Sequence, residues 1–403
     1  MSTDHLSKAH TARIDAGVQQ TFTDLVRFRR DLHAHPELSW KEYRTAEKIE
    51  EELQKLGIAY RREIETAVIA DIPGSEDVPP VIYRGDIDAL PIQDTKDLGT
   101  VPYRSTNAGV CHACGHDVHT TIALAVARLM HDLRDALVAP VRVIFQPAEE
   151  VLPSGADALD QAGILKNGQA ALAVHVDPSQ TLGNVGWRTG PITASLDNFR
   201  IVLEGHQGHS ARPHLSHDAV AAAAEVTLQL HAMIRRHSDP LHTAVLSVGT
   251  LRGGVASNVI AGHAELTGSL RARVNEDRPM LRAAVEETAR YAAALHGCTA
   301  HVHFDVGHPP VRNDEHLARL VAAMAEDVLG EPHVHQQAYP SIGAEDFGHF
   351  SNRMPTFMLR LGCGVEGERP RHLHEEGFDL DERTIAVGAR IMARSILALS
   401  KGA

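Results

Sequence analysis

The sequence predicts a mainly parallel α/β fold that is interrupted by an inserted ferredoxin-like α+β domain. Buried strands alternate with amphipathic helices in the first part of the chain and again near its end, as in a parallel sheet covered on both faces. Between these parts the order is strand, helix, strand, strand, helix, strand, the split β-α-β arrangement of ferredoxin-like domains. We therefore predict one domain from residues 1–190 and 308–403, with residues 191–307 inserted into it.

The first domain is predicted from a series of strand and helix signals. In AEKIEEELQKLG, Ile49, Leu53 and Leu56 recur at helical spacing, and Gly57 marks the end of the helix. VIYRGDIDAL reads as a buried strand, and VHTTIALAVARLMHDL as a helix with Asp117 as its N-cap. VRVIF and ALAVHV are two further buried strands. After the insert, a helix, the strand TFMLRLG and the helix TIAVGARIMARSILAL complete the domain.

The inserted domain has its own run of six elements. Its predicted strands are FRIVLEG, TAVLSVGTL, HAELTGSLRARV and AHVHFDV. Its predicted helices are HDAVAAAAEVTLQLHAMIRR and MLRAAVEETARYAAALHG. In HAELTGSLRARV apolar and polar residues alternate, as in a strand with one face buried.

Composition narrows the class of protein. A chain of 403 residues with 43% hydrophobic and 23% charged residues has enough apolar material for two or three domains. A net charge of -13 argues against a nucleic-acid groove or an anionic membrane as partner, and favours a small molecule. The chain has no signal-peptide pattern at its start and no apolar run near 18 residues, and four scattered cysteines do not suit a disulfide framework. We expect a soluble, cytoplasmic protein.

Acid, histidine and thiol groups stand just past predicted strands or at the start of a helix. The clusters are Asp86 with Asp88, Cys114 with His116, Glu149 with Glu150, His175, and His372 with His374. Ligands bind at the carboxyl ends of strands in open α/β sheets, so these clusters are expected to form one site. Adjacent glutamates at the end of an apolar strand need positive charge nearby, which a dication supplies. One carboxylate can then bind metal while the other acts as a base.

The two cysteines of Cys-x-x-Cys are interpreted differently. Cys114, Gly115 and His116 can place a thiolate and an imidazole on adjacent metal positions, because glycine relaxes the turn. A buried thiol beside a helix-capping histidine is the competing interpretation for this pair. Cys111 and His112 have no such support, and we interpret both as structural.

Nine runs of the sequence together resemble a known family. In chain order they are RRDLHAHPELSWKEYRTA, RGDIDALPI, HACGHDVHT, QPAEE, AVHVDP, GHSARPH, SNVI, GAEDF and LHEEGFDLDE. They resemble the cysteine-containing branch of the metal-dependent aminoacylase and carboxypeptidase family. That branch includes hippurate hydrolases, N-acyl-L-amino-acid amidohydrolases and plant hydrolases of indoleacetyl-amino acids. The resemblance implies a dinuclear catalytic domain whose insert serves as a lid and as the interface of a homodimer.

The resemblance also implies roles for individual residues. Cys114 would bridge two metals, one held with Glu150 and His374, the other with His116 and His175. Asp86 stands where the wider family has a ligand histidine, and Asp88 would orient an imidazole from outside the ligand set. Glu149 would be the general base and His209 would polarise the scissile carbonyl. Asn258 and Arg271 would hold the substrate carboxylate.

The predicted activity is hydrolysis of the amide bond of N-acyl amino acids by a metal-bound water that Glu149 activates. Two divalent ions per subunit are expected, with zinc or manganese ahead of cobalt or nickel. The main competing prediction is a dipeptidase or carboxypeptidase-like exopeptidase on the same scaffold. A non-catalytic metal-binding protein and a thiol oxidoreductase acting through Cys111 and Cys114 are two further candidate functions. Ala261 and Ala344 depart from the family pattern, so the preferred substrate stays open.

Overall fold

The computed structural model describes residues 6–369 and 371–402. The chain divides into two compact units. The first unit consists of the chain up to Gly190, Arg312–Tyr339 and the chain from His349 onward. The second unit consists of Pro191–Val311 and Pro340–Gly348. The segment Pro340–Gly348 thus groups with the second unit, although it follows the predicted insert in the chain.

Helices and strands are numbered in chain order. The helices are α1 (Lys8–Ala34), α2 (Tyr43–Lys55), α3 (His116–Asp132), α4 (Gly155–Gln161), α5 (Ala219–His237), α6 (Arg278–Ala294), α7 (Glu315–Leu329), α8 (Gly348–Ser351) and α9 (Thr384–Ser400). The strands are β1 (Tyr60–Glu63), β2 (Ala67–Ile72), β3 (Val81–Asp86), β4 (Val141–Gln146), β5 (Ala170–Thr181), β6 (Val185–Trp187), β7 (Gly190–Pro191), β8 (Asp197–Glu204), β9 (Gly208–His209), β10 (Ala244–Gly253), β11 (Val259–Ile260), β12 (His263–Ala272), β13 (Thr299–Val306), β14 (Arg312–Asn313), β15 (Val334–Gln336) and β16 (Thr356–Gly364).

The first unit is built on a mainly parallel sheet, as predicted. Its strand order is β1-β2-β4-β3-β5-β16-β14. The strands from β4 to β14 run parallel to their neighbours, and β1 and β2 add an antiparallel edge. Every residue of β3 is buried, as expected for a strand covered on both faces. Helices α1, α3 and α9 pack against one another in the core of this unit.

The register of the parallel strands sets where the candidate residues lie. Asp86, the last residue of β3, pairs with Gln146, the last residue of β4. The segments that follow these two strands therefore leave the sheet at the same edge. Strand β5 continues to Thr181 instead of ending at Asp177 and Pro178 as predicted. Arg84 pairs with Ala173, which places His175 level with Asp86.

Helix α3 begins two residues earlier than predicted. Its N-cap is Gly115, not Asp117, and Gly115 has a φ of 81°. A Cβ atom at Gly115 would lie 2.6 Å from Cγ2 of Val176, so both the backbone conformation and the close approach of β5 favour glycine here. Asp117 lies in the first turn, and its carboxylate contacts Arg29 and His33.

The second unit has the predicted ferredoxin-like arrangement. Its sheet has the order β10-β12-β8-β13, and each neighbouring pair is antiparallel. Helices α5 and α6 pack against each other and enclose a separate core that includes Phe199, Ile201, Leu230 and Leu281. Asp218 caps α5 by accepting hydrogen bonds from two backbone N–H groups of the first turn. None of the helices in the described part of the chain has the length and apolar content needed to cross a membrane.

Candidate metal centre

Two groups of three side chains that could bind a metal ion share the thiol of Cys114. In one group the ligand atoms of Cys114, His116 and His175 all lie within 4.8 Å of one another. In the other, those of Cys114, Glu150 and His374 do so. Sγ of Cys114 is 3.7 Å from Nε2 of His175, and Nε2 of His374 is 3.3 Å from Oε1 of Glu150. The structure therefore brings together the five residues that the family resemblance names as ligands, in the same two sets.

In His116 and His175, hydrogen bonds determine which ring nitrogen is available to bind a metal. Nδ1 of His116 is 3.0 Å from the carbonyl oxygen of Asp88 and 3.1 Å from its Oδ1. Nδ1 of His175 is 2.8 Å from the carbonyl oxygen of Val176. Because both partners are acceptors, Nδ1 carries the proton in each neutral ring and Nε2 has a free lone pair. Burial and the nearby Arg360 also lower the pKa of His175 well below its usual value, which keeps it neutral.

Asp88 connects His116 to two other parts of the site. Its Oδ2 accepts a hydrogen bond of 2.7 Å from the hydroxyl of Ser39 and one of 3.1 Å from the backbone N–H of Glu150. Burial opposes ionisation of Asp88, but the contacts with His116 and Ser39 hold its pKa below the usual value. The contact with His116 is the one expected from the sequence. The contact with Ser39 was not predicted, and its only signal is its place in the run PELSW.

Both carboxylate oxygens of Asp86 contact other side chains. Its Oδ2 accepts a hydrogen bond of 2.6 Å from Arg84, and its Oδ1 lies 2.7 Å from Nδ1 of His119. Nε2 of His119 in turn accepts a hydrogen bond of 3.0 Å from the backbone N–H of Val176, next to His175. His119 was not predicted either. Its spacing of three residues from His116 on one helix face is the signal that could have found it.

The buried atoms of the site fit a cation. Nε2 of His116 forms no hydrogen bond with any residue that the structure describes. It lies 3.6 Å from Oδ2 of Asp86, 3.8 Å from Oε1 of Glu150 and 4.0 Å from Oε2 of Glu149. Burial acts against a charge on His116, yet the Asp86 carboxylate and Cys114 raise its pKa well above the usual value. The surrounding negative groups thus favour positive charge at this point.

The second group is more open, and its negative groups also favour a cation. The side chain of His374 is 51% exposed, whereas that of Glu150 is 11% exposed. Contacts with Cys114 and Glu150 raise the pKa of His374 to about 10. Burial and the Glu150 carboxylate raise the pKa of Cys114, so its thiolate needs a cation beside it. Thiolate, imidazole and carboxylate ligands together suit a divalent transition metal.

Glu149 lies beside the ligands. Its side chain is 10% exposed, and its ligand atom lies within 4.8 Å of those of His116 and Glu150. The preceding residue, Ala148, has a φ of 52°, in the left-handed region where the chain turns away from β4. The two glutamates thus reach the same cluster from adjacent positions.

A further buried group near Cys111 already contains a cation. Ligand atoms of His33, Asp94 and Cys111 lie within 4.8 Å of one another. The ammonium group of Lys96 is 3.0 Å from Oδ2 of Asp94 and donates a 2.9 Å hydrogen bond to the carbonyl of Phe378. Lys96 therefore takes the place that a metal would occupy here.

The surroundings of the two cysteines do not favour redox chemistry. Cys111 and Cys114 are both buried and free. Burial raises the pKa of Cys111 to about 12, whereas a reactive thiol needs a lowered pKa. Burial also lowers the pKa of His112 to about 3. Both residues of the Cys111–His112 pair lie in the core, as the structural interpretation expects.

Two of the three candidate residues of the second unit lie together. His209 is exposed on β9, which pairs with β11, and its Nδ1 accepts a 3.0 Å hydrogen bond from the N–H of Ala211. The neutral ring therefore carries its proton on Nε2, the atom that can donate to a substrate. The residue after His209 is Ser210, and its backbone N–H donates a 3.1 Å hydrogen bond to the carbonyl of Asn258.

Arg271 lies on the other sheet of this unit, in β12. It is half-buried, and its Nη1 donates a 2.9 Å hydrogen bond to the carbonyl of Ile342. It forms no ion pair with a carboxylate among residues 6–369 and 371–402. Burial lowers its pKa, so the guanidinium is a partly desolvated charge that an anionic ligand would stabilise.

His372, the remaining member of the clusters found in the sequence, is exposed. Its backbone N–H donates a 3.1 Å hydrogen bond to Oε2 of Glu375. His374 alone of this pair is in the ligand group with Cys114.

Known proteins resemble the chain over most of its length. Residues 82–398 match Peptidase family M20/M25/M40. An N-acetylcysteine deacetylase of Bacillus subtilis is 36% identical over 376 residues, covering 92% of this chain and 95% of the relative. An N-acyl-L-amino acid amidohydrolase of Geobacillus stearothermophilus is 37% identical over 297 residues, covering 73% and 80%.

A solved structure agrees with this similarity. The Bacillus subtilis YXEP protein, described as a dinuclear metal-binding peptidase from the M20 family, has a TM-score of 0.82 and 32% identity. The match covers 95% of this chain and 99% of that protein. The fold, the two groups of candidate ligands and the sequence match agree, and the chain belongs to Peptidase family M20/M25/M40.

Proposed function

We propose that the chain is a metal-dependent amidohydrolase that cleaves the amide bond of N-acyl amino acids. The observation that carries this proposal is the pair of ligand groups that share Cys114, with Glu149 beside them. Relatives named as a deacetylase and as an amidohydrolase support amide hydrolysis as the reaction. Membership of a family with a dinuclear metal-binding member supports two divalent ions.

The catalytic roles follow from the groups that each residue presents. Two divalent ions would supply Lewis-acid charge for the scissile carbonyl and lower the pKa of the attacking water. The Glu149 carboxylate takes a proton from that water and passes it to the leaving nitrogen. Nε2–H of His209 donates a hydrogen bond to the carbonyl oxygen as negative charge develops there. Asn258 and Arg271 bind the carboxylate of the amino acid.

The proposal includes zinc or manganese as the metal, with cobalt or nickel as less favoured ions. The thiolate of Cys114 favours zinc, because a soft ligand prefers it to magnesium or calcium. Four free, buried cysteines support a reducing compartment such as the cytoplasm. A homodimer through the second unit is also part of the proposal. Strand β10 is an edge strand of its sheet and exposes Val245 and Leu251, which supports pairing with a second copy.

Metal analysis of single variants tests the ligand roles. We expect the wild-type protein to bind about two divalent ions per chain, as in two-metal hydrolases. His374→Ala should lose about one equivalent, because His374 belongs to one ligand group. Cys114→Ala should weaken both ions, because Cys114 belongs to both groups.

Cys111→Ala is the matched control for the loss of a buried thiol. It removes a thiol three residues from Cys114 that lies beside Lys96, and it should keep both ions. Metal content is measured on dialysed protein, with thermal melting to show that each variant is folded. Active wild-type protein without a bound transition metal, or equal metal loss in Cys111→Ala and Cys114→Ala, would contradict the assignment.

A further inference from the structure

Arg29 of α1 is a fully buried arginine that contacts three carboxylates. Its Nε lies 2.7 Å from Oδ2 of Asp117. Its Nη2 donates a 3.1 Å hydrogen bond to Oδ1 of Asp379, and its Nη1 a 3.3 Å bond to Oε1 of Glu382. The guanidinium also lies 5.0 Å from the ring centre of Tyr103. A buried charge is costly unless it is paired, so these contacts hold the partners firmly in place.

The three carboxylates lie on the two segments that carry ligands. Asp117 directly follows His116 in the first turn of α3. Asp379 and Glu382 follow His374 in the segment between β16 and α9. Arg29 therefore connects the start of α3 to the segment that presents His374. It does so without belonging to either group of ligands.

Neighbouring side chains extend the connection at both ends. Nδ1 of His33 lies 2.8 Å from Oδ2 of Asp117, the same oxygen that Arg29 contacts. At the other end, the hydroxyl of Tyr103 donates a 3.1 Å hydrogen bond to Oδ2 of Asp379. Both oxygens of Asp379 are thus held, one by Arg29 and one by Tyr103.

The His374 segment depends on such contacts because it has little regular structure. Between residues 371 and 383 it consists of turns and irregular backbone. His374 has a φ of 65° and an exposed side chain. Other anchors of the segment include a hydrogen bond from His374 N–H to the carbonyl of Ala113 at 2.8 Å, one from Lys96 to the carbonyl of Phe378 at 2.9 Å, and the ion pair of Arg30 with Glu382 at 2.6 Å. Among these anchors, Arg29 contacts two carboxylates of the segment, Asp379 and Glu382, from a fully buried position.

We propose that Arg29 is a positioning residue that holds the His374 segment against the start of α3 and so tightens one of the two metal sites. This inference rests on the ligand roles in the proposed function. Without Arg29, the ion held by Cys114, Glu150 and His374 should bind more weakly. The ion held by His116 and His175 should be less affected, because those residues lie on α3 and within β5.

Arg394 of α9 provides a matched control. It is 5% exposed and, like Arg29, is paired with carboxylates from other segments. It contacts Asp15 of α1 at 2.9 Å, and it also pairs with Asp327 of α7. Arg394→Met therefore removes a buried, doubly paired guanidinium without touching a segment that carries a ligand.

The experiment compares zinc affinity in full-length wild type, Arg29→Met, Arg29→Lys and Arg394→Met. Each protein is titrated against a chromophoric chelator so that the two binding steps are resolved, and its thermal melting point is recorded. Both Met variants should melt at lower temperature. Only Arg29→Met should weaken one binding step, by roughly 10- to 100-fold, the usual effect of removing a group that orients a ligand. Arg29→Lys should recover part of that affinity, because it keeps the charge.

Two results would overturn the inference. One is an Arg29→Met protein that binds both ions with wild-type affinity, and the other is an equal loss of affinity in Arg394→Met. If Arg29→Met does not fold, Arg29→Lys and Tyr103→Phe decide, since Tyr103→Phe removes only one hydrogen bond to Asp379. Unchanged zinc affinity in both of those variants would then refute it. Wild-type protein that binds no zinc would instead reject the proposed function.

Discussion

Glu149→Gln is expected to lower kcat by roughly 10²- to 10⁴-fold, the usual contribution of a general base. The amide of glutamine has nearly the shape of the carboxylate but cannot take a proton from water. Both metal ions should stay bound, because Glu149 is in neither ligand group that shares Cys114. Turnover of N-acetyl and N-benzoyl amino acids, measured with the metal content of the same samples, checks this expectation.

Glu150→Gln is the matched control, since it makes the same chemical change one residue away. Oε1 of Glu150 lies 3.3 Å from Nε2 of His374, within the second ligand group. This variant should therefore lose metal together with activity. Near-normal turnover in Glu149→Gln, or equal metal loss in both variants, would show that the two roles are wrongly assigned.

An N-acyl amino acid should be hydrolysed much faster than the matching amide or methyl ester. We expect this because Arg271 offers a partly buried guanidinium without a carboxylate partner among the described residues. Removing one partner of a buried, hydrogen-bonded charge pair costs about 2 to 5 kcal/mol. This corresponds to a decrease in kcat/KM of roughly 30- to several-thousand-fold.

Arg271→Ala should reduce that preference by lowering mainly the rate on the acid. Arg273→Ala is the control, because Arg273 lies two residues further along the chain and contacts Thr243 instead. It should keep the preference for the acid. The three substrates must be assayed on each protein, since a general defect lowers all rates together. Similar efficiency of the wild type on acid, amide and ester would exclude a carboxylate-binding role for Arg271.

The fold class and the set of candidate ligands can be predicted from local patterns in the amino-acid sequence. Strand and helix signals depend on apolar periodicity, which is read directly from runs such as VRVIF and AEKIEEELQKLG. Because parallel strands bring their carboxyl ends to one edge of a sheet, the same signals predict that Asp86, Glu150 and His175 lie near one another. The family resemblance adds the division of the ligands into two sets.

The partners that hold those ligands in place could not be predicted in this way. The N-cap predicted for α3 was wrong because Asp117 is drawn into a buried pair with Arg29, where charge pairing outweighs capping. Strand β5 extends beyond Asp177 because it pairs with β16, and the polarity of the local sequence does not reveal that pairing.

Ser39 and Asp379 show the same limit over longer separations. Ser39 reaches Asp88 across 49 residues of chain, and Arg29 reaches Asp379 across 350. Periodicity and turn signals extend over a few residues, so contacts of this kind leave no pattern in one sequence. They exist because strands and helices distant in the chain pack together, and that packing selects which buried charges meet.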